Sequence, residues 1–262
     1  MKRNSLLTLL TFATLTIAPA ISHAQVLVQS FNDSWALTFN TSLGGSGTSG
    51  TTNSEQEDQV SLSKYTGFLD LTRVVITITK PLSPNSPDFT AVLGNVGGTG
   101  ANTFNSASFS SRTTVNTESA EVAIDDNGGP NLASTVVFSG TDSATPVPFT
   151  LTATETKAFG VAPQGTRVYF DSSINGAMTS AQLNAAFRDG SATFLFPLVA
   201  RVSAAYNRST NDAFEFVTEG IDSGSITIDY YAIPEPSSLV LLGLSAAGTF
   251  FLSRRRPVRS QA

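Results

Sequence analysis

The chain has 262 residues and a net charge of −5, with hydrophobic residues at 40% and charged residues at only 13%. The charged share is about half that of an ordinary globular protein. No cysteine is present, which excludes disulfides, thiolate nucleophiles and cysteine-ligated zinc. A chain of this length accommodates one all-β domain or two small domains.

The N-terminus has the features of a secretory signal peptide. A positively charged start and an apolar run over 6–17 are followed by a proline and by Ser22-His23-Ala24, which fits the small-x-small pattern before a cleavage site. We therefore expect a signal peptide over 1–24, cleaved between Ala24 and Gln25. The alternative is a buried N-terminal helix.

Cleavage there removes His23, the only histidine of the sequence. A mature chain without His or Cys excludes a Ser-His-Asp triad, a Cys-His dyad and a histidine-ligated metal. Acid–base chemistry would then fall to Asp, Glu, Lys or Tyr. We expect no enzyme activity, no cofactor and no metal site.

The C-terminal segment combines three features in a fixed order. Pro234-Glu235-Pro236 precedes an apolar stretch, and Arg254-Arg255-Arg256 follows it. We expect an apolar helix over 237–253; counted from Pro236 to Ser253, it would be about 27 Å long, which just crosses a thin hydrocarbon core. The arginine cluster over 254–259 should stay on the cytoplasmic side of the membrane, with the body outside.

This arrangement resembles the PEP-CTERM sorting signal of Gram-negative bacteria. The resemblance implies a sorting signal over 234–262, read by a membrane-embedded exosortase that cuts near the proline triplet. It implies transient partnership with signal peptidase and exosortase, a transient inner-membrane anchor through the C-terminal helix, and a final place at the cell surface or outside the cell. The residues it assigns to sorting are Pro234, Glu235, Pro236, Arg254, Arg255 and Arg256. An uncut membrane anchor is the alternative.

The body between the two signals, 25–233, is acidic. It holds nine Lys/Arg and nineteen Asp/Glu, a net charge of −10. Nucleic-acid binding needs clustered Lys and Arg to displace counterions, so we expect no nucleic-acid partner. An acidic surface suits an exported soluble domain.

Hydrophobic residues in the body recur with a period of two, which predicts β-strands. Short strands separated by Gly-, Asn- and Pro-rich turns predict an all-β antiparallel sandwich of the jelly-roll or Ig-like kind. The alternating sets are Trp35/Leu37/Phe39, Val74/Ile76/Ile78, Phe194/Phe196/Leu198 and Ile226/Ile228/Tyr230.

Three local features refine this prediction. A change of phase before Val74 predicts a β-bulge near Thr72–Arg73. Good helix formers over 179–187 predict one short helix, capped at Thr179 or Ser180, with Leu183 and Phe187 packed on an end of the sandwich. The Gly- and Ser-rich segment 41–59 has little apolar surface to bury, which predicts a flexible loop.

Three stretches of the body resemble the choice-of-anchor E domains. They are 64–76, 183–190 and 226–231. These domains occur with PEP-CTERM and other anchoring signals. The resemblance implies a secreted β-sandwich and assigns no activity.

A few residues of the body could carry chemistry or binding. Glu215 with Glu219, or Asp125 with Asp126, could form the carboxylate pair of a glycan hydrolase. The segment 125–129 could offer oxygens to calcium, although its composition favours a turn. The large amphipathic aromatics, which could form a sugar-binding platform, are Trp35, Tyr169, Tyr206, Tyr230 and Tyr231. Trp35 is in phase with the core, and we expect Tyr231 to be exposed.

The sequence thus predicts a non-catalytic, exosortase-sorted β-sandwich that serves as a structural or adhesive component of an extracellular matrix or biofilm. Exopolysaccharide is the partner that this setting suggests. A carbohydrate-binding module is the alternative, followed by a glycan hydrolase with paired carboxylates.

Overall fold

A computed structural model describes residues 25–45, 47–81, 88–96, 100–176, 178–189, 192–210 and 212–233. These residues form eleven strands and two short helices. The strands are β1 Val26–Gly45, β2 Ser49–Ser63, β3 Leu71–Lys80, β4 Phe89–Asn95, β5 Asn102–Asn116, β6 Thr135–Ser143, β7 Phe149–Leu151, β8 Thr156–Val161, β9 Gly165–Asp171, β10 Thr193–Arg208 and β11 Phe214–Ala232. The helices are α1 Glu118–Asp125 and α2 Ser180–Phe187.

The strands form two antiparallel sheets, which confirms the predicted β-sandwich. Sheet 1 has the order β8-β4-β11-β3-β9, and β1 pairs with the other side of β11. Sheet 2 has the order β2-β10-β5-β6, and β7 also pairs with β5. β11 is therefore an interior strand, paired with β1 along its length on one side and with β3 and β4 on the other.

The core lies between the sheets and consists of two hydrophobic clusters. Along β11, Ile226, Ile228 and Tyr230 belong to one cluster, while Phe214 and Phe216 belong to the other. Alternate residues of β11 are buried because successive strand side chains point to opposite faces. The period-two pattern therefore identified the inward face of this strand correctly.

The predicted helix and bulge are both confirmed. Thr179 is the N-cap of α2, and its side chain forms a reciprocal capping box with Gln182. Tyr231 pairs with Arg73 and Ala232 with Leu71, so Thr72 is the extra residue of a bulge in β3.

The prediction of a flexible loop over 41–59 is wrong. β1 continues to Gly45, and β2 begins at Ser49 and pairs residue by residue with β10. β2 is an edge strand with mostly exposed side chains, so backbone hydrogen bonds to β10 replace the apolar burial that its sequence lacks. Glu55 lies opposite Arg201 and forms an ion pair with it.

The expectation of a single helix is also wrong, because α1 is a second one. Ala120 and Ile124 are buried one turn apart, and Glu118 and Glu121 lie in the first turn, where the helix dipole favours acids. The segment 125–129, predicted as a turn, closes this helix with Gly128 at φ +76°. Eight residues with so little apolar periodicity give a weak helix signal.

The predicted signal peptide and C-terminal apolar helix lie outside the described residues. Neither of the two helices within the described ranges is both long and apolar enough to cross a bilayer.

A glycine of β11 leaves space for the indole ring of Trp35. Trp35 of β1 pairs with Gly224 of β11, and a Cβ atom added to Gly224 would overlap the indole ring and the Thr79 backbone. At Gly94 of β4 the nearest atom to an added Cβ is 3.6 Å away, an ordinary contact.

We expect Gly224→Ala to lower the free energy of unfolding by about 1–3 kcal/mol, because the core must shift to admit the methyl group. Gly94→Ala is the matched control and should change it by less than about 0.5 kcal/mol. Chemical denaturation of both variants measures the difference. Equal stabilities would contradict this account of the Trp35–Gly224 contact.

Candidate functional site

The first and last strands of the described chain meet at one end of the sandwich. Val26, one residue after the predicted mature N-terminus, pairs with Ala232, two residues before the proline triplet. We call this region the terminal end and define it by the start of β1, the end of β11, the loop 64–70 and the turn 172–176. Both predicted sorting signals join the folded body there.

The loop 64–70 is fixed by hydrogen bonds on both sides. The Tyr65 N–H donates to the Phe187 carbonyl at the end of α2, at 2.8 Å. The Gln29 amide of β1 donates to the Thr66 hydroxyl at 2.9 Å and accepts from the Thr66 N–H at 3.1 Å. An open depression of about 350 Å³ lies between the start of β1 and this loop.

An ion pair orders the turn 172–176 on the opposite side of the terminal end. Arg73 donates to both Asp171 carboxylate oxygens, at 3.0 and 2.6 Å, and Ser173 donates to Asp171 through its N–H and hydroxyl. The Arg73 hydrogen bonds, aided by those from Ser173, hold the pKa of the Asp171 carboxyl well below its usual range, against the effect of burial. The Arg73 guanidinium also lies 5.3 Å from the centre of the Tyr231 ring in β11.

The terminal end carries two prominent apolar side chains. Phe68 is 89% exposed and Ile174 is 78% exposed, the highest values among the large hydrophobic residues described. Leu27, at the start of β1, is 54% exposed. Both loops of the terminal end therefore present apolar surface to their surroundings.

A polar centre lies inside the sandwich, between the two hydrophobic clusters. Lys80, Asp222 and Thr113, which we call the buried polar bridge, are all at most 2% exposed. Lys80 Nζ is in direct contact with Asp222 Oδ1, and it donates to the Thr113 hydroxyl at 3.1 Å. That hydroxyl reaches both Asp222 carboxylate oxygens, at 2.9 and 3.0 Å.

Burial disfavours the charged form of Lys80 and lowers its pKa to about 8, while the Asp88 carboxylate opposes this change. Sequence reasoning missed the buried polar bridge. The signal was present, because Lys80 follows Ile76 and Ile78 at the same two-residue spacing and Asp222 precedes Ile226 in phase. The sequence pattern therefore predicts that both charged side chains point inward, but it cannot predict that they contact each other.

The predicted sorting residues lie outside the described ranges, with one exception. Ala24, Pro234, Glu235, Pro236, Arg254, Arg255 and Arg256 belong to the undescribed parts of the chain. Gln25, the predicted mature N-terminus, is described and exposed, directly before β1.

The candidate carboxylate pairs do not face each other across a cleft. Glu215 and Glu219 lie on the outer face of β11, about 13 Å apart along the strand. Asp125 and Asp126 are adjacent and exposed at the end of α1. Throughout the described ranges, no three acidic side chains come together as a metal-ligand group.

The candidate sugar-binding aromatics are largely internal. Trp35 is 2% exposed, which confirms its prediction as a core residue, and Tyr230 is fully buried. Tyr169 is buried with its hydroxyl donating to the Ala133 carbonyl, and Tyr206 is buried against Phe214. Tyr231 is half-buried beneath Arg73 rather than exposed as predicted.

Comparison with protein families identifies one match. A family model described as the PEP-CTERM protein-sorting motif matches residues 232–256. The match begins at the last residue of β11 and includes the proline triplet and the three arginines. No curated protein matches the chain.

Solved structures give only distant likenesses. The Gx strain of infectious bursal disease virus aligns at 8% identity with a TM-score of 0.19, covering 86% of this chain and 48% of that one. The Gt strain aligns at 8% identity and a TM-score of 0.17, covering 86% and 50%. A CocE/NonD family hydrolase from Staphylococcus aureus aligns at 9% identity and a TM-score of 0.14, covering 74% and 37%. The chain thus spans half or less of these structures, and alignments at such scores carry no argument.

The Asp171 ion pair makes stability depend on pH. Because its pKa is depressed in the folded state, its contribution is complete above the unfolded-state pKa of about 4 and is lost as pH falls below that value. We expect Asp171→Asn to lower the free energy of unfolding at pH 7 by about 1–3 kcal/mol. The difference between variant and wild type should shrink between about pH 5 and pH 2.

Denaturant titrations at several pH values measure this difference. Asp70→Asn is the control, because its pair with Arg188 is long at 3.7 Å and the Asp70 side chain is 75% exposed. That substitution should change stability by less than about 1 kcal/mol at any pH. A constant offset between Asp171→Asn and wild type over the whole range would contradict the prediction.

Proposed function

We propose that this PEP-CTERM domain-containing protein is a non-catalytic surface protein whose β-sandwich serves as a structural or adhesive component of the extracellular matrix. One observation carries the proposal: the sorting motif begins at Ala232, the last residue of the interior strand β11. The complete sandwich therefore precedes the motif and forms the cargo that the motif delivers.

The motif implies export, a membrane-anchored stage and exosortase processing. Since β1 starts beside the end of β11, the polypeptide enters and leaves the body at the terminal end. This geometry supports an orientation in which the terminal end of the body faces the membrane during the anchored stage. Phe68 and Ile174 give that end the apolar exposure suited to a bilayer interface.

The outer face of sheet 2 supports a polysaccharide partner. Hydrogen-bonding side chains lie in register across β2, β10, β5 and β6, in the row Asn53, Ser203, Ser110 and Thr141. These residues are exposed or half-buried. Such a row offers neutral donors and acceptors to hydroxyl-rich chains, and the net charge of −10 over 25–233 disfavours nucleic acid.

Sorting is tested by the mass of the protein recovered from the surface and medium of its native host. We expect wild type to start at Gln25 and to end close to Pro234–Pro236. Replacing Arg254, Arg255 and Arg256 by Ala should impair retention and processing, because the stop to transfer is lost. Lys157→Ala removes a charge from a half-buried position of β8 in the body and should be processed normally. Wild-type protein that still extends to Ala262 would contradict exosortase processing.

The matrix role is tested by binding of the full chain to exopolysaccharide purified from the same host. We expect Ser110→Glu with Ser203→Glu to weaken binding roughly tenfold or more, because two charges interrupt the neutral row. Thr90→Glu, on the exposed outer face of sheet 1, is the control and should bind like wild type.

Absence of wild-type binding, or equal weakening by the control, would contradict a polysaccharide partner at this face. Release of soluble sugars during the incubation would contradict the non-catalytic assignment.

A further inference from the structure

The buried polar bridge brings an amine and a carboxyl group together in the core. Lys80 is the last residue of β3, and Asp222 lies on β11 between the stretch that pairs with β3 and the stretch that pairs with β4. Their side chains are 1% and 0% exposed, and Lys80 Nζ contacts Asp222 Oδ1. Neither group takes part in sorting or in the face proposed for polysaccharide.

Closely packed neighbours surround this contact along β11. Gly220 and Gly224 flank Asp222 on the inward face of the strand, with Phe89 packed against Gly220 and the Trp35 ring packed against Gly224. Phe89 closes one side of the site, with its ring centre 5.9 Å from Lys80 Nζ. The two functional groups are thus enclosed and held at contact distance.

We propose that Lys80 and Asp222 condense to an intramolecular isopeptide bond. The ammonium proton passes to the carboxylate, which gives a neutral amine and a carboxylic acid. Lys80 Nζ then attacks Asp222 Cγ, the C–OH bond breaks, and the amine proton and hydroxyl leave as one water molecule. The reaction requires no oxidant, reductant or further reactant.

The surroundings favour each step. The interior stabilises the neutral pair relative to two charges, and burial lowers the pKa of Lys80 to about 8, which increases the fraction of nucleophilic amine. The Thr113 hydroxyl lies within hydrogen-bonding distance of both carboxylate oxygens and of Nζ, so it holds both reactants and can polarise the carboxyl group.

The bond would have a mechanical consequence for an anchored protein. It joins strands whose linked residues are 142 positions apart in the sequence. A load applied through the C-terminal segment acts first on β11, and the bond would tie β11 covalently to β3. An ion pair at the same place would offer only a reversible contact. The inference goes beyond the proposed matrix role and stands on the core contact alone.

Peptide mass spectrometry of the folded full chain tests the proposal. A tryptic digest should contain the peptide with Lys80 joined to the peptide with Asp222, at their summed mass less one water. Fragmentation should place the link at these two side chains. The wild-type digest is the decisive measurement. If the two peptides are recovered separately and unmodified, Lys80 and Asp222 form an ion pair only and the proposal is overturned.

Lys80→Arg is the matched variant. It keeps a positive charge opposite Asp222, but a guanidinium that stays protonated is a poor nucleophile, so the joined peptide should be absent. Wild-type protein kept in denaturant from synthesis onward should also lack the joined peptide and acquire it after refolding. A joined peptide of the same mass in the never-folded sample would contradict a reaction organised by the core.

Discussion

The pairing of β1 with β11 is the constraint on which the rest of the structure depends. β11 has 19 residues, and β1 follows it from Val26 opposite Ala232 to Gly45 opposite Phe214. Because the partners are antiparallel, the start of one strand must lie beside the end of the other. The same pairing places β11 inside sheet 1 rather than at its edge. The adjacency of Val26 and Ala232 is thus a consequence of register, not of a separate contact.

That register also determines the composition of the core. In the middle of β1, three large residues lie opposite small or polar residues of β11: Trp35 faces Gly224, Leu37 faces Asp222 and Phe39 faces Gly220. The Trp35 ring fills the space at Gly224, Phe89 of β4 fills the space at Gly220, and Asp222 lies between the two glycines. A lone buried carboxylate would be costly, so Lys80 from β3 and Thr113 from sheet 2 complete its environment. The two hydrophobic clusters are separated where these charged groups meet.

Much of this fold was predictable, since strands with one buried face show their period directly. The inward sets around Ile76, Phe196 and Ile228, the cap at Thr179 and the bulge at Thr72 all have local signals. β2 had none, because an edge strand takes its stability from the partner's backbone and needs few apolar residues. The sequence also does not predict the Lys80–Asp222 contact, because the two residues lie 142 positions apart and only the register of the strands brings them together.

Because β11 is paired on both sides, a sorting motif can follow it directly without loosening the strand. The matched motif starts at Ala232, which still pairs with Val26 and with Leu71. A cut near Pro234–Pro236 therefore removes no strand residue and breaks none of the ladder bonds that hold β11 on both sides. The pairing of β11 ends at Ala232, two residues before the triplet, and proline cannot donate to a ladder. The sequence feature that resembles a processing signal thus follows directly on the last paired residue of β11, and a cut within the triplet leaves every described core residue in the body.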